Sequence, residues 1–327
     1  MFGLDRGWMV KGKAFKELLA RLNELTSQQR QVIESTLNRL STENEVCKEL
    51  NQVQMTECPH CGSEHLQKWG WKHNLQRYRC KACRATFNRL TGTHLSRLRK
   101  KEQWLEVVES LNEKETLDQM QERLGISRMT AVLWRKRFLA ALKDPKQKTL
   151  TGIVEADETF VRQSIKGSRN REREPRKRGE PAKYAGTHPD DYVCVWTARD
   201  RSKETAHQLT TDQRTPVFKE FLKPLVAKDS ILCSDGKTGY IWFARDEGIH
   251  HVVLSAKNRQ FVQDGVYHIQ NVNAYHSRLK RFLSCLRGVA TRYLENYLSW
   301  LDYLDSRSAN ENPLSPRQVL KTRLLHI

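Results

Sequence analysis

Four cysteines and a few scattered acids are the residues of this chain whose types and spacing could do chemistry. Cys58-Pro-His-Cys61 and Cys80-Lys-Ala-Cys83 are two Cys-x-x-Cys knuckles with 18 residues between them. Each knuckle offers two soft thiolates from one tight turn, and four thiolates close a tetrahedral Zn²⁺ site, the spacing of a zinc ribbon. A closed site has no open position for substrate, so the zinc expected here folds its module and does no reaction. Trp69, Trp71, Tyr78 and Phe87 suit short strands around the metal, and the basic residues near the knuckles suit contact with phosphate.

The acids lie further on. Gly152-Ile-Val-Glu-Ala-Asp157-Glu-Thr-Phe160 reads as a strand, and alternation puts Ile153, Glu155, Asp157 and Thr159 on one face. Two acids on one face of a core strand are costly to bury unless paired or bound to a cation. An edge strand with a solvated acidic face would account for the same residues. Asp235 closes Ile231-Leu-Cys-Ser-Asp235-Gly236, an apolar strand running into an acid and a glycine, as at many α/β active sites. Asn273, Ser277 and Lys280 share one face of a later helix. Two carboxylates with a third oxygen ligand can hold two Mg²⁺ or Mn²⁺ ions roughly 3.5–4 Å apart. Such a pair activates a water or hydroxyl and stabilises a leaving oxygen, which is the chemistry of phosphodiester cleavage and transfer.

The elements that must position these residues follow from periodicity. Residues 1–50 carry helical spacing, with a break and N-cap at Thr26 or Ser27, and suit a packing or dimerising helical pair. The ribbon spans 55–92. Over 100–142 a helix ends at Gly125 and Ser127 caps the next, so the pair reads as a helix-turn-helix whose second helix can enter a major groove. Arg128 and Arg135, seven apart, are expected to share its DNA-facing side with Lys136 nearby. After a polar linker, 150–305 alternates strand and helix patterns as an α/β domain, with strands at 152–160, 192–198, 204–210, 230–234 and 250–254, and helices near 216–226, 237–244 and 272–286. Residues 306–327 form a C-terminal tail. Between the first two strands lies an Arg-rich, Gly/Pro-punctuated loop in which Arg169, Arg171, Arg176, Lys177 and Arg178 are expected to order along a nucleic-acid backbone.

Composition agrees with a nucleic-acid partner. The chain has 327 residues and a net charge of +19, from 57 Lys+Arg against 38 Asp+Glu. No apolar run is long enough to span a bilayer, and mean hydropathy is −0.72. The N-terminus lacks a signal-peptide layout, which places the protein in the cytoplasm, where thiols stay reduced.

Taken together, the zinc ribbon, the helix-turn-helix, Asp157-Glu-Thr-Phe, the basic loop, Ser-Asp235-Gly and Asn273-x-x-x-Ser277-x-Leu-Lys280 resemble bacterial insertion-sequence transposases of the IS1595 (ISXO2-like) family, from about residue 55 to residue 305. The resemblance implies a multidomain protein ending in an RNase H-like catalytic domain with a mixed sheet. It implies divalent-metal chemistry of the DDE type, and binding to double-stranded DNA at the element's terminal inverted repeats and at the target. It also implies a homodimer or larger synaptic assembly. Carried over by motif, Asp157 and Asp235 are metal ligands, Asn273 holds the third position and Lys280 contacts DNA. The wider DDE pattern has Glu where this chain has Asn273; an amide oxygen can ligate a metal but brings no charge. Glu295 is the next candidate for a third ligand. Two other readings use the same residues: a DNA-binding regulator with an inactive RNase H-like domain, and a structure-selective nuclease.

Overall fold

A computed structural model describes residues 12–143, 149–168, 181, 186–212, 214–255, 258–286, 288–309 and 315–320. The basic-loop residues Arg169, Arg171, Arg176, Lys177 and Arg178 lie outside the described residues. The chain divides into two compact units, one holding residues up to Gly92 with Ser96–Glu106, the other Thr93–Leu95 with Val107 onward.

In the first unit, α1 (Gly12–Arg21) and α2 (Ser27–Gln52) are separated where the sequence suggests. Thr26 caps α2: its hydroxyl accepts from Gln29 N, and Gln29 Oε1 accepts from Thr26 N. Three short antiparallel strands follow, β1 (Leu66–Lys72), β2 (Leu75–Cys80) and β3 (Thr86–Phe87). Their small core is Cys58, Tyr78, Cys80 and Phe87. At the end of α2, Asn51 donates to Asn74 O and accepts from Gln76 N, tying the helix to β2.

In the second unit, α4 (Leu117–Leu124) and α5 (Arg128–Ala141) meet at Gly125, which adopts the left-handed conformation (φ +57°) that a glycine takes without steric cost. Thr116 and Ser127 cap the two helices. A five-stranded mixed sheet follows, built from β4 (Ile153–Arg162), β5 (Tyr192–Asp200), β6 (Thr205–Thr210), β7 (Ile231–Ser234) and β8 (His250–Val253). Its order is β6-β5-β4-β7-β8; β4, β5 and β6 pair antiparallel, while β4, β7 and β8 pair parallel. β4 is therefore the central strand, and the edge-strand alternative falls away.

Alternation along β4 divides the sheet's two faces. Val154 and Ala156 join Trp196, Ala198 and Ala206 against Phe218, Phe221 and Leu222 of α6 (Thr215–Leu222) and Tyr240 and Phe243 of α7 (Thr238–Glu247). The opposite face carries Glu155, Asp157 and Thr197, covered by α8 (Gln270–Cys285). The buried positions of α8, Val272, Tyr275, His276 and Leu279, form its inner stripe, and Asn273, Ser277 and Lys280 are exposed together as the spacing predicts. α9 (Leu294–Ala309) pins the unit: Trp300 Nε1 donates to Leu111 O at 3.0 Å, and its ring packs edge-on against Phe282 of α8. Asp305 of α9 accepts from Arg278 of α8 and pairs with Arg199 of β5. A short helix, α10 (Pro316–Val319), follows. Among the described residues no helix is long and apolar enough to cross a membrane.

Candidate active site and metal centres

The cysteine knuckles come together as the spacing demands. Cys58 Sγ lies 3.7 Å from Cys83 Sγ, and Cys61 Sγ 3.6 Å from Cys80 Sγ. Those separations match the edge of a tetrahedron with metal–sulfur bonds of about 2.3 Å, roughly 3.8 Å, and are far too long for a disulfide. Cys58 N donates to Ser63 O and Cys80 N to Ala85 O, which fold each knuckle back on itself. The Cys80 thiol is lowered to about 6, chiefly by the Cys83 backbone amide. Against the opposing Ala85 backbone amide, burial and its three sulfur neighbours push the Cys83 thiol the other way, up to about 12, so the two values belong to one cluster of four thiols; it is the convergence of the four sulfurs that could hold a metal ion.

The second cluster forms at one end of the sheet. β4 and β7 pair in parallel as far as Glu155 opposite Cys233. Continuing that register by two residues sets Asp157 beside Asp235, just past the end of β7. Oxygens of Asp157, Glu158 and Asp235 lie within 4.8 Å of one another. Ligand oxygens sharing one hard cation sit roughly 3–4 Å apart, so small side-chain turns would bring this set onto a divalent ion.

Each acid is held by its neighbours. Asp235 Oδ1 accepts from Lys237 N at 3.1 Å. Gly236 follows at φ +82°, and a Cβ there would meet Val253 Cγ1 at 2.5 Å, so only glycine lets the turn lie against β8. Ser234 Oγ accepts from Gly236 N and hydrogen-bonds His251 Nε2 at 2.8 Å, anchoring the same turn. Burial pushes the Asp235 carboxyl above its ordinary value and the Asp157 charge adds to this, against the opposing Lys237 amide. A carboxylate raised in part by the charge of a neighbouring carboxylate is stabilised by a cation between the two.

Glu155, on the same face of β4, is already engaged. It is buried, pairs with Arg201 and accepts from Asn271 Nδ2 and from Val272 N, both at 2.9 Å. It serves as an anchor for the start of α8.

The structure places the remaining sequence-predicted residues as follows. Asn273 is exposed on α8, one turn before His276, whose Nδ1 lies 3.5 Å from Asp157 Oδ2. Lys280 is exposed two turns beyond Asn273 on the same face. Glu295 pairs with Lys143 at 2.6 Å at the start of α9, and the third carboxylate brought to Asp157 and Asp235 is Glu158 instead. Glu158 bonds Tyr240 OH at 3.1 Å and forms an ion pair with Lys237. Strand alternation points Glu158 away from Asp157, which hides it in the sequence; past the last residue of β7 both faces of β4 reach the same space. His276 carries a legible signal, a polar residue at a core position of an otherwise apolar helical stripe.

Arg135 requires a correction. Arg128 is exposed on the first turn of α5 and pairs with Asp118. Arg135 is only 3% exposed, donates to Glu115 O at 2.8 Å and lies over the Trp300 ring at 5.5 Å. The two share an angular position, but the first turn of α5 is free where Arg128 sits, and the next two turns pack on α4 and α9. Lys136 is exposed, with its ammonium over the Tyr293 ring at 4.8 Å.

Comparison with known proteins agrees with this geometry. Residues 149–304 match the ISXO2-like transposase domain. An uncharacterised protein in transposable element ISH50 of Halobacterium salinarum is 29% identical over 244 residues, covering 74% of this chain and 82% of that protein. The mixed sheet with its paired acids is thus a transposase domain. Within that class the matched residues, 149–304, are similar to the ISXO2-like family, the family that the chain's motifs resemble.

Proposed function

We propose that this transposase binds the terminal inverted repeats of an insertion sequence, cleaves their 3′ ends, and joins the freed 3′-OH groups to target DNA. The observation that carries the reading is the meeting of Asp157 and Asp235 on neighbouring parallel strands, with oxygens close enough to share a divalent cation. The strand order and the helix covering Asp157 support an RNase H-like domain. Asp157, Asp235 and the amide oxygen of Asn273 would hold Mg²⁺ or Mn²⁺. A divalent ion held by these residues would supply activation of a water or 3′-OH nucleophile and stabilisation of the departing oxygen.

The chain's own residues set where DNA lies. Asn273 and Lys280 are about 10.5 Å apart along α8, so Lys280 reaches a phosphate further along the strand than the one being cut. The α4–turn–α5 pair acts as the helix-turn-helix, with Arg128 and Lys136 toward the duplex. Arg169, Arg171, Arg176, Lys177 and Arg178 add backbone contacts by their charge. Cys58, Cys61, Cys80 and Cys83 hold one structural Zn²⁺. Two element ends are cut and joined together, which calls for at least two copies of the chain.

A terminal-repeat duplex with Mg²⁺ tests the reading. Asp157→Ala and Asp235→Ala should abolish nicking and leave gel-shift affinity within about twofold, since neither contributes a phosphate contact. Asn273→Asp, which keeps an oxygen at the same reach, should retain more cleavage than Asn273→Ala. Nicking that persists in Asp157→Ala would overturn the metal reading. Binding by the parent without any cleavage would make the chain a regulator, and preferential cutting of branched DNA would make it a structure-selective nuclease.

A further inference from the structure

We infer that His276, held by Thr197, is the positioning residue that fixes the Asp157 carboxylate for metal binding. The inference rests on the reading of Asp157 as a ligand. Asp157 and Thr197 are direct cross-strand partners on β4 and β5. Both side chains therefore stand on the sheet face covered by α8, and the imidazole of His276 bridges them. Its Nε2 lies 3.0 Å from Thr197 Oγ1, and its Nδ1 lies 3.5 Å from Asp157 Oδ2. Thr197 is 1% exposed and His276 5% exposed, so neither ring nitrogen can use bulk water in place of these partners.

The hydrogen-bond inventory fixes the direction of the relay. A carboxylate only accepts, so the nitrogen facing Asp157 must carry the proton. Nε2 of the neutral ring is then the acceptor, and the Thr197 hydroxyl donates to it. Thr197 thereby selects the tautomer, and the Nδ1–H of His276 faces one oxygen of Asp157 and leaves the other for a cation. The 3.5 Å gap is of the length that a ligand-free site shows and a bound one tightens. Outer partners of metal-ligating side chains act by this kind of orientation, and their loss costs roughly 10–100-fold in metal affinity or activity. No other residue on the buried stripe of α8 supplies a donor: Val272, Leu279 and Phe282 are apolar, and Tyr275 OH is committed to Asp302 Oδ1 at 2.9 Å.

Two conservative replacements separate positioning from packing. Asn carries its amide nitrogen about where Nδ1 of His lies, and Gln carries its own about where Nε2 lies. Gln is the closer match in length, so a packing role favours His276→Gln and a positioning role favours His276→Asn. Mn²⁺ affinity would be measured by calorimetry on the full-length zinc-loaded protein, with the Mg²⁺ half-saturation of nicking as a second readout and thermal unfolding as a folding check. His276→Asn should stay within about threefold of the parent, whereas His276→Gln and Thr197→Val should weaken Mn²⁺ by about 10-fold or more. Gln equal to or better than Asn would overturn the inference, as would a folded Thr197→Val protein with parental Mn²⁺ affinity. Asp157→Ala is the control. If it binds Mn²⁺ like the parent, the metal reading itself fails; if it loses Mn²⁺ while His276→Gln does not, only the inference fails.

Discussion

Glu155 and Asp157 look alike in the sequence: two acids on one face of one strand. What separates them is distant in the chain. Arg201, Asn271 and the Val272 amide converge on Glu155, and nothing near residue 155 announces them. Asp157 sits two residues on, past the pairing with β7, where the partner is another carboxylate. The Asp157 and Asp235 positions were legible because an acid on one face of a core strand, and an acid closing an apolar strand, are each costly without a cation; Glu158 was not, because alternation sends it to the opposite face. Glu155→Gln should destabilise the second unit by about 2–4 kcal/mol in urea unfolding, since it breaks a buried charge network whose Arg201 end still reaches water. It should also lower cleavage, because α8 loses the anchor of its first turn. Asp235 gives a pH effect of definite sign. Its folded carboxyl is raised above the ordinary value of 3.8, so the folded state holds the proton more tightly than the unfolded chain. Without divalent ions its contribution to stability is greatest below 3.8 and declines as pH rises through the raised value. Thermal unfolding of the parent minus that of Asp235→Asn should show this decline, and Mg²⁺ should stabilise the parent increasingly across the same window.

At the scale of elements, local signals placed most boundaries. Gly125 and Ser127 mark the α4–α5 turn, Thr26 marks the start of α2, and apolar runs ending in Asp-Gly and similar breaks mark the strands. Periodicity could not say which face of α5 is covered. Seven residues bring Arg128 and Arg135 to one side, yet α9, more than 150 residues away, supplies the Trp300 ring that covers the second arginine. The two positions therefore separate cleanly by experiment. Arg135→Ala should cost about 2–3 kcal/mol of stability, from the lost bond to Glu115 and the lost packing on Trp300. Arg128→Ala should leave the melting temperature unchanged and reduce the salt slope of terminal-repeat binding by about 1, the effect of one phosphate contact. Destabilisation by Arg128→Ala, or weaker DNA binding by a folded Arg135→Ala protein, would reverse the assignment of the face.

At the scale of the whole molecule, charge and cysteine spacing were readable from the sequence, and the division into units was readable only in part. The spacing isolates a ribbon, but the helices over 100–142 fall mostly in the same compact unit as the sheet, because α9 packs on α5 and its Trp300 bonds the end of α3 (Trp104–Asn112). Each unit has its own core, and each core sits next to a different candidate metal site. Among the described residues the ribbon core is four buried side chains, two of them cysteines of the cluster, with Met55 and Leu66 packed against them, so its apolar burial is too small to hold it folded without a metal. The sheet core of the second unit is far larger and includes no cysteine of that cluster. Two unfolding transitions are therefore expected in a calorimetric scan. A strong zinc chelator, or Cys80→Ser, should abolish or lower the transition of the first unit and leave the other in place. Mg²⁺ should raise only the transition of the second unit, by RT ln(1 + [Mg²⁺]/Kd), about 2.7 kcal/mol at 100-fold excess over Kd. Asp157→Ala should remove that Mg²⁺ response while the zinc-dependent transition stays where it was. A single transition that shifts with both metals would mean that the two units unfold as one cooperative body.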